Sequence, residues 1–153
     1  MSNFGNKPFL YVILLLGLLW AKTSYGKFAS GNFVSELGQT LSKVQSKNPH
    51  PFFRDFLADF AIPNSQIFGS LVLYGELLVA ISLIFASSLL IFKTKVNKLV
   101  TLLLIAGLSG GLFLNINFWL GFGWTNPAAD SLNLLMGSTE AIGIFFLIKQ
   151  LKG

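Results

Sequence analysis

Residues 66–92 carry a single charged side chain, Glu76, inside the run L-V-L-Y-G-E-L-L-V-A-I-S. About 20 apolar residues in helical form cross the hydrocarbon core of a bilayer, and about 27 do so with some tilt. Hydrocarbon offers no partner to backbone N–H and C=O groups, so such a run satisfies them internally, as a helix. Three further segments, residues 8–28, 98–120 and 131–148, are also long and apolar enough to span and are bounded by turn or charge signals. The expected fold is therefore all-α: one domain over residues 1–153, built as an integral membrane four-helix bundle. The first segment has a rival reading as a cleaved signal peptide, with Lys7 before an apolar stretch and small residues at Ser24 and Gly26. Its length to Phe28 and the lack of an A-x-A site favour a span.

Composition agrees. The 153-residue chain is 53% hydrophobic and 11% charged, where soluble domains carry about 25% charged residues. It has no cysteine and one histidine, His50. Disulfides, thiolate-held iron–sulfur clusters, thioether-linked haem and a His-only metal centre are all excluded from this chain alone. No metal and no covalent cofactor is expected. The net charge of +5 follows topology rather than nucleic acid. Lys93, Lys95 and Lys98 share a linker without acids, and Lys7, Lys149 and Lys152 lie at the two ends. Four spans place these regions on one side, which the positive-inside rule makes cytoplasmic. The expectation is a multi-pass plasma-membrane protein with both termini in the cytoplasm.

The first outer loop has its own pattern. Phe33, Leu37, Leu41 and Val44 fall at helical spacing, predicting an amphipathic helix over 31–47. N-P-H-P breaks it. Phe52, Phe53, Phe56, Leu57 and Phe60 then mark a short helix over 51–62, stopped by Pro63. Such helices either lie on the membrane or cap the bundle; the cap is preferred, with Phe52, Phe53, Phe56 and Phe60 packed on the bundle's outer end. Gly107 and Gly111 form a G-x-x-x-G pair suited to close helix packing, read as intrachain.

Polar residues gather in the outer half of the spans. Counted at about 1.5 Å per residue, Glu76 lies ~15 Å in, Glu140 ~13 Å and Lys22 ~9 Å. Asn115 and Asn117 sit in the last outer turns of the third span, and Asn133 in the first turn of the fourth. Intramembrane ionisable groups usually face the interior and pair. The pattern predicts an outward-opening polar cavity in which Glu76 faces Glu140 and Lys22 or Lys27 supplies the cation. The alternative is a buried ion pair or protonated carboxyl that only fixes helix register. Trp20, Tyr25, Tyr74, Trp119 and Trp124 flank the same end; most read as interfacial belt residues, with Trp119 the candidate for lining a pocket.

Several motifs occur together: W-A-K-T-S-Y-G-K-F (20–28), N-P-H-P-F-F-R-D-F-L (48–57), I-P-N (62–64), Y-G-E-L-L-V-A-I-S-L (74–83), and the Asn/Trp-rich stretch N-I-N-F-W-L-G-F-G-W-T-N-P-A-A-D-S-L-N-L-L-M-G (115–137). In these the chain resembles the DoxX/DoxD family, and more closely its DoxD branch, over about residue 20 to the C-terminus. The resemblance implies a four-helix membrane subunit of a thiosulfate:quinone oxidoreductase, with quinone as electron acceptor and a DoxA-like second subunit. It matches Lys27 to the lysine closing the first helix, Glu76 to the glutamate of the second, and Arg54 to a basic position of the N-P-x-P segment. Glu140 matches no family motif and is a candidate on depth alone. Glu76 and Glu140 are thus the candidate catalytic carboxyls. Lys22, Lys27, Arg54, Asn115, Asn117 and Trp119 are the candidate groups for substrate or quinone. Two other readings remain open: a non-catalytic accessory subunit of a larger respiratory or photosynthetic complex, and a small solute or lipid-binding transporter.

Overall fold

The computed structural model describes residues 7–92 and 98–152. Lys93 and Lys95, two of the linker lysines, lie outside the described residues. Six α-helices follow in chain order: α1 (Lys7–Ser30), α2 (Phe33–Gln45), α3 (Pro51–Phe56), α4 (Ser65–Phe92), α5 (Lys98–Phe122) and α6 (Pro127–Lys152). A π-helical turn, Leu57–Ala61, continues α3, and a 3₁₀ turn, Gly123–Thr125, joins α5 to α6. The long helices α1, α4, α5 and α6 are each long and apolar enough to cross a membrane. The chain is a multi-pass, all-α membrane bundle.

The helices run up-down-up-down. Phe9 near the start of α1 packs at a tilt against Phe146 near the end of α6, at 4.8 Å between centroids. Gly17 of α1 meets Ile84 of α4, and Gly107 of α5 meets Ser82. These glycines let the backbones close: a Cβ at Gly17 would lie 3.0 Å from the Ile84 nitrogen, and one at Gly107 would lie 2.8 Å from the Ser82 Cβ. Gly111 abuts Glu140 and Trp20, so the G-x-x-x-G pair packs within the chain. The interior is lined by Leu10, Ile13, Leu83, Leu104, Leu108 and Leu147. Leucine, isoleucine and phenylalanine also dominate the outer faces, as at Leu15, Leu78, Phe113 and Leu135, because lipid is as apolar as the core. What is sorted inward is the small and the polar.

α2, α3 and the π turn form the expected cap. Leu37, Leu41, Phe53, Leu57 and Ala61 make its own small core, against Phe68 of α4 and Leu120 and Phe122 of α5. Only part of the phenylalanine expectation holds: Phe53 is buried and Phe56 packs beside it, whereas Phe52 and Phe60 are exposed. At helical spacing Phe53 and Leu57 share one face, which turns Phe52 away from it, while Phe60, past the start of the π turn, keeps an edge contact with Phe68 of α4 at 5.9 Å although most of its ring is exposed. Gly31, expected to open α2, instead ends α1 in the left-handed region at φ 67°, as a residue without Cβ does most readily. Asn48 pins the cap: its Nδ2 donates to the Leu120 carbonyl at 2.8 Å while its Oδ1 accepts from the His50 N–H at 2.9 Å. The bonded carbonyl belongs to the last turn of α5, where carbonyls lack helical partners.

Candidate functional site

One stripe of α1 organises the interior: Ile13, Leu16, Gly17, Trp20, Ser24 and Lys27 recur every three or four residues, and all are buried except the half-buried Lys27. Lys22, two residues from Trp20, points the other way and is exposed. From there a lysine stem snorkels toward the interface. Of the two candidate cations, only Lys27 therefore reaches a carboxylate. Its Nζ donates to both oxygens of Glu76, at 2.7 and 2.8 Å. The Glu76 side chain is 1% exposed and that of Lys27 is 23%.

The pairing revises the depth of Glu76. Lys27 stands one turn from the end of α1, so Glu76 lies near the cap end of that helix. The first turns of α4 rise past α1 into the cap, where Gly69 packs on Val34 and Leu37 of α2. Counting from the start of α4 therefore includes turns that lie beside the cap rather than beside α1.

Glu140 occupies a second centre and does not face Glu76. Its Oε1 accepts from Trp20 Nε1 at 2.9 Å and its Oε2 from Asn115 Nδ2 at 2.8 Å. All three residues are buried, with Glu140 at 0% exposure. Trp20 lies about two turns, ~10 Å, from Lys27 along α1, so the two carboxyls stand at different levels. Phe118 bridges the levels: its ring lies 6.3 Å from Trp20 and 5.7 Å from Lys27 Nζ. The belt reading of Trp20 is thus corrected. Its indole N–H, which can only donate, is spent inside the bundle on a carboxylate.

A cleft of about 1060 Å³ opens between α4 and α5 beneath the cap. Its walls are almost wholly apolar, including Leu71, Gly75, Leu78, Gly110, Phe113 and Leu114. Leu71, Leu78 and Phe113 are largely exposed, so the cleft opens sideways toward lipid. It ends at the Ser82–Gly107 crossing and is roofed by Phe33, Leu37, Phe53 and Phe56. Lys27, Ser30, Asn32, Glu36 and Thr40 supply polar groups at the roofed end, and Ser82, Asn117 and Asn133 add others along the walls.

The remaining candidates scatter. Asn117 lines the cleft but donates to its own helix at Phe113. Asn115 turns inward to Glu140. Asn133 lines the cleft and donates to the Ala129 carbonyl. Trp119 is outside the cleft; its Nε1 donates to Asp130 at 2.7 Å and its ring stands 5.8 Å from His50. Arg54 is in the cap and does not line the cleft; its carbonyl accepts from Gln45 Nε2. Sequence reasoning missed Trp20, Ser24 and Phe118, although the three-and-four spacing from Ile13 to Lys27 carries the signal for the first two. No group of three or more metal-ligating side chains occurs among the described residues.

Comparison of the chain with protein-family models, with curated proteins and with solved structures finds no match.

Proposed function

We propose that the chain is a DoxD-like membrane subunit of a quinone-linked redox complex, holding the quinone in the α4–α5 cleft with its ring at Lys27. The observation that carries this reading is the cleft itself: roughly 1060 Å³, mostly apolar, open to lipid, and with its charged groups, Lys27 and Glu36, at one end. Ligand pockets typically enclose about 300–1,000 Å³ with apolar walls and a few placed polar groups. An isoprenoid chain matches the walls and a carbonyl-bearing ring matches the head. The family assignment rests on the sequence motifs.

The residues fit a neutral head group better than an anion. Two of the three N–H bonds of Lys27 are engaged by Glu76. The third can reach a ring carbonyl from the cleft wall. Glu76 does not line the cleft; it positions Lys27 and neutralises its charge. Glu36 adds a further carboxylate to the lining, while Lys22 and Arg54 stand elsewhere. A thiosulfate-like dianion therefore finds no free cation here, and oxidation of a sulfur compound falls to a partner subunit of the DoxA type. A bound quinone supplies two-electron acceptor chemistry. Lys27 binds and orients the carbonyl oxygen, the cap keeps water from the head, and Glu76 is the nearest carboxylate able to take part in proton exchange through Lys27 Nζ. In this reading the cap faces outward across the plasma membrane and both termini are cytoplasmic, as the lysine distribution indicates.

The test is retention of quinone through purification from native membranes. A Cβ at Gly75 meets only Leu114 Cδ1, at 3.7 Å, so Gly75→Phe fills the cleft while the bundle stays intact. Wild type should carry roughly stoichiometric quinone and Gly75→Phe should lose it. Equal amounts in both, or a neutral lipid in place of quinone, would sink the quinone reading.

A further inference from the structure

The centre around Glu140 takes no part in the cleft: Glu140, Trp20 and Asn115 are all absent from its lining. No cation pairs with it, since the ion pair found among the described residues is Lys27–Glu76. The two groups bonded to its oxygens are neutral N–H donors. A bare carboxylate in the interior of a membrane bundle costs far more than two such bonds return. A metal cation does not suit the place either, because both donors aim hydrogens at the space it would fill.

The ligand that fits is a proton. The indole N–H of Trp20 can only donate, so Oε1 is an acceptor in either state. The amide of Asn115 works both ways: turned one way it donates to a carboxylate, and turned the other its carbonyl accepts from a carboxylic O–H. Ser24 lies on the same face of α1, one turn past Trp20 and one turn short of Lys27. Its Oγ is buried and has no hydrogen-bond partner. A buried hydroxyl without a partner marks a place for a bridging water. We propose that Glu140 is a buried proton-binding site, with Asn115 the partner that reverses as the proton binds, and that it exchanges its proton with Glu76 past Ser24. In one transfer the O–H bond at Glu140 breaks and one forms on a water held by Ser24. That water releases another proton to a Glu76 oxygen. One proton moves, no electron does, and the total charge is unchanged. The site stands whether or not a quinone occupies the cleft.

Infrared spectra of protein carrying carbon-13 in its glutamate carboxyls, in lipid nanodiscs near neutral pH, test this directly. Wild type should show a protonated carboxyl band that is absent from Glu140→Gln and kept in Glu76→Gln. Glutamine preserves the size, its oxygen still accepts from Trp20 and its NH2 can donate to the carbonyl of a reversed Asn115, so Glu140→Gln should melt like wild type. Should that variant not fold, Asn115→Leu gives the second reading: it removes the acceptor for the O–H, and the band should move to higher frequency. A wild-type spectrum with carboxylate bands alone, a band that survives in Glu140→Gln, or a band unmoved in Asn115→Leu would overturn the site. For the path, Ser24→Ala should slow hydrogen–deuterium exchange of that carboxyl by roughly tenfold, the effect of one lost hydrogen bond. An unchanged exchange rate would overturn the route past Ser24.

Discussion

Lys27 of α1 holds Glu76 of α4 by both carboxylate oxygens, at 2.7 and 2.8 Å, and its ammonium also lies 5.2 Å from the centre of the Phe33 ring in the cap. One side chain thus ties two spanning helices and the cap together at the head of the cleft. Removing one partner leaves the other without its counter-ion in a largely desolvated place. Lys27→Met should destabilise the bundle by about 3 kcal/mol, and Glu76→Leu by a similar amount. The double variant should recover most of the loss. Thermal unfolding of the four proteins in one detergent gives the coupling; additive losses would mean that the pair contributes no interaction of its own.

Gly111 and Gly26 make opposite predictions from the same residue type. A Cβ at Gly111 would strike the Glu140 carboxylate and lie 3.2 Å from Trp20 Nε1. Gly111→Ala should therefore cost about 1–3 kcal/mol. At Gly26, inside α1, an added Cβ meets nothing within 4 Å, and Gly26→Ala should stabilise by about 0.5–1 kcal/mol through helix propensity. Melting curves compare the two; a neutral Gly111→Ala would mean that the Glu140 centre is loosely packed.

Asn48 is the clamp between the cap and α5. Asn48→Leu deletes the bond to the Leu120 carbonyl and orphans the His50 N–H, a loss of about 1–3 kcal/mol confined to the cap. Limited proteolysis and hydrogen exchange should show residues 46–62 opening while α4 and α5 stay protected. Unaltered protection of 46–62 would show that the apolar contacts of Phe53 and Leu57 suffice.

The spans and the cap were legible because lipid and proline leave few choices. Runs of about 20 apolar residues must be helical in hydrocarbon, and the observed helices exceed the expected bounds mainly by a turn or less at their ends. Pro51 and Pro63 punctuate the cap in the expected places. The site was harder. In a membrane helix apolar residues occupy both faces, so hydropathy does not reveal which face is inside. Trp20, taken for a belt residue, is buried against Glu140, and Trp119, taken for a pocket wall, binds Asp130 outside the cleft, for that reason. Small and polar residues at three-and-four spacing are the better guide: Gly17, Trp20, Ser24 and Lys27 share a face and Lys22 does not. The cleft is a product of tertiary structure, arising where α4 and α5 diverge above the Ser82–Gly107 crossing, and no local pattern announces such a divergence.

The distribution of charge predicts an orientation. The short connection containing Thr125 has no lysine or arginine, whereas the connection between α4 and α5 is rich in lysine. The chain has no native cysteine, so single cysteines introduced as Thr125→Cys and Asn97→Cys report without background. An impermeant maleimide added to intact cells should label the first and spare the second; the reverse pattern inverts the topology.

The central claim is that a quinone lies between α4 and α5 with its head at Lys27. A photoreactive quinone analogue bound to purified protein in nanodiscs, cross-linked and mapped by peptide mass spectrometry, tests it most directly. The account predicts adducts within residues 71–82 of α4 and 106–118 of α5, displaced by excess unlabelled quinone and lost in Gly75→Phe. Adducts confined to the outer face of α6, around Leu132 and Leu135, and insensitive to competition would contradict it.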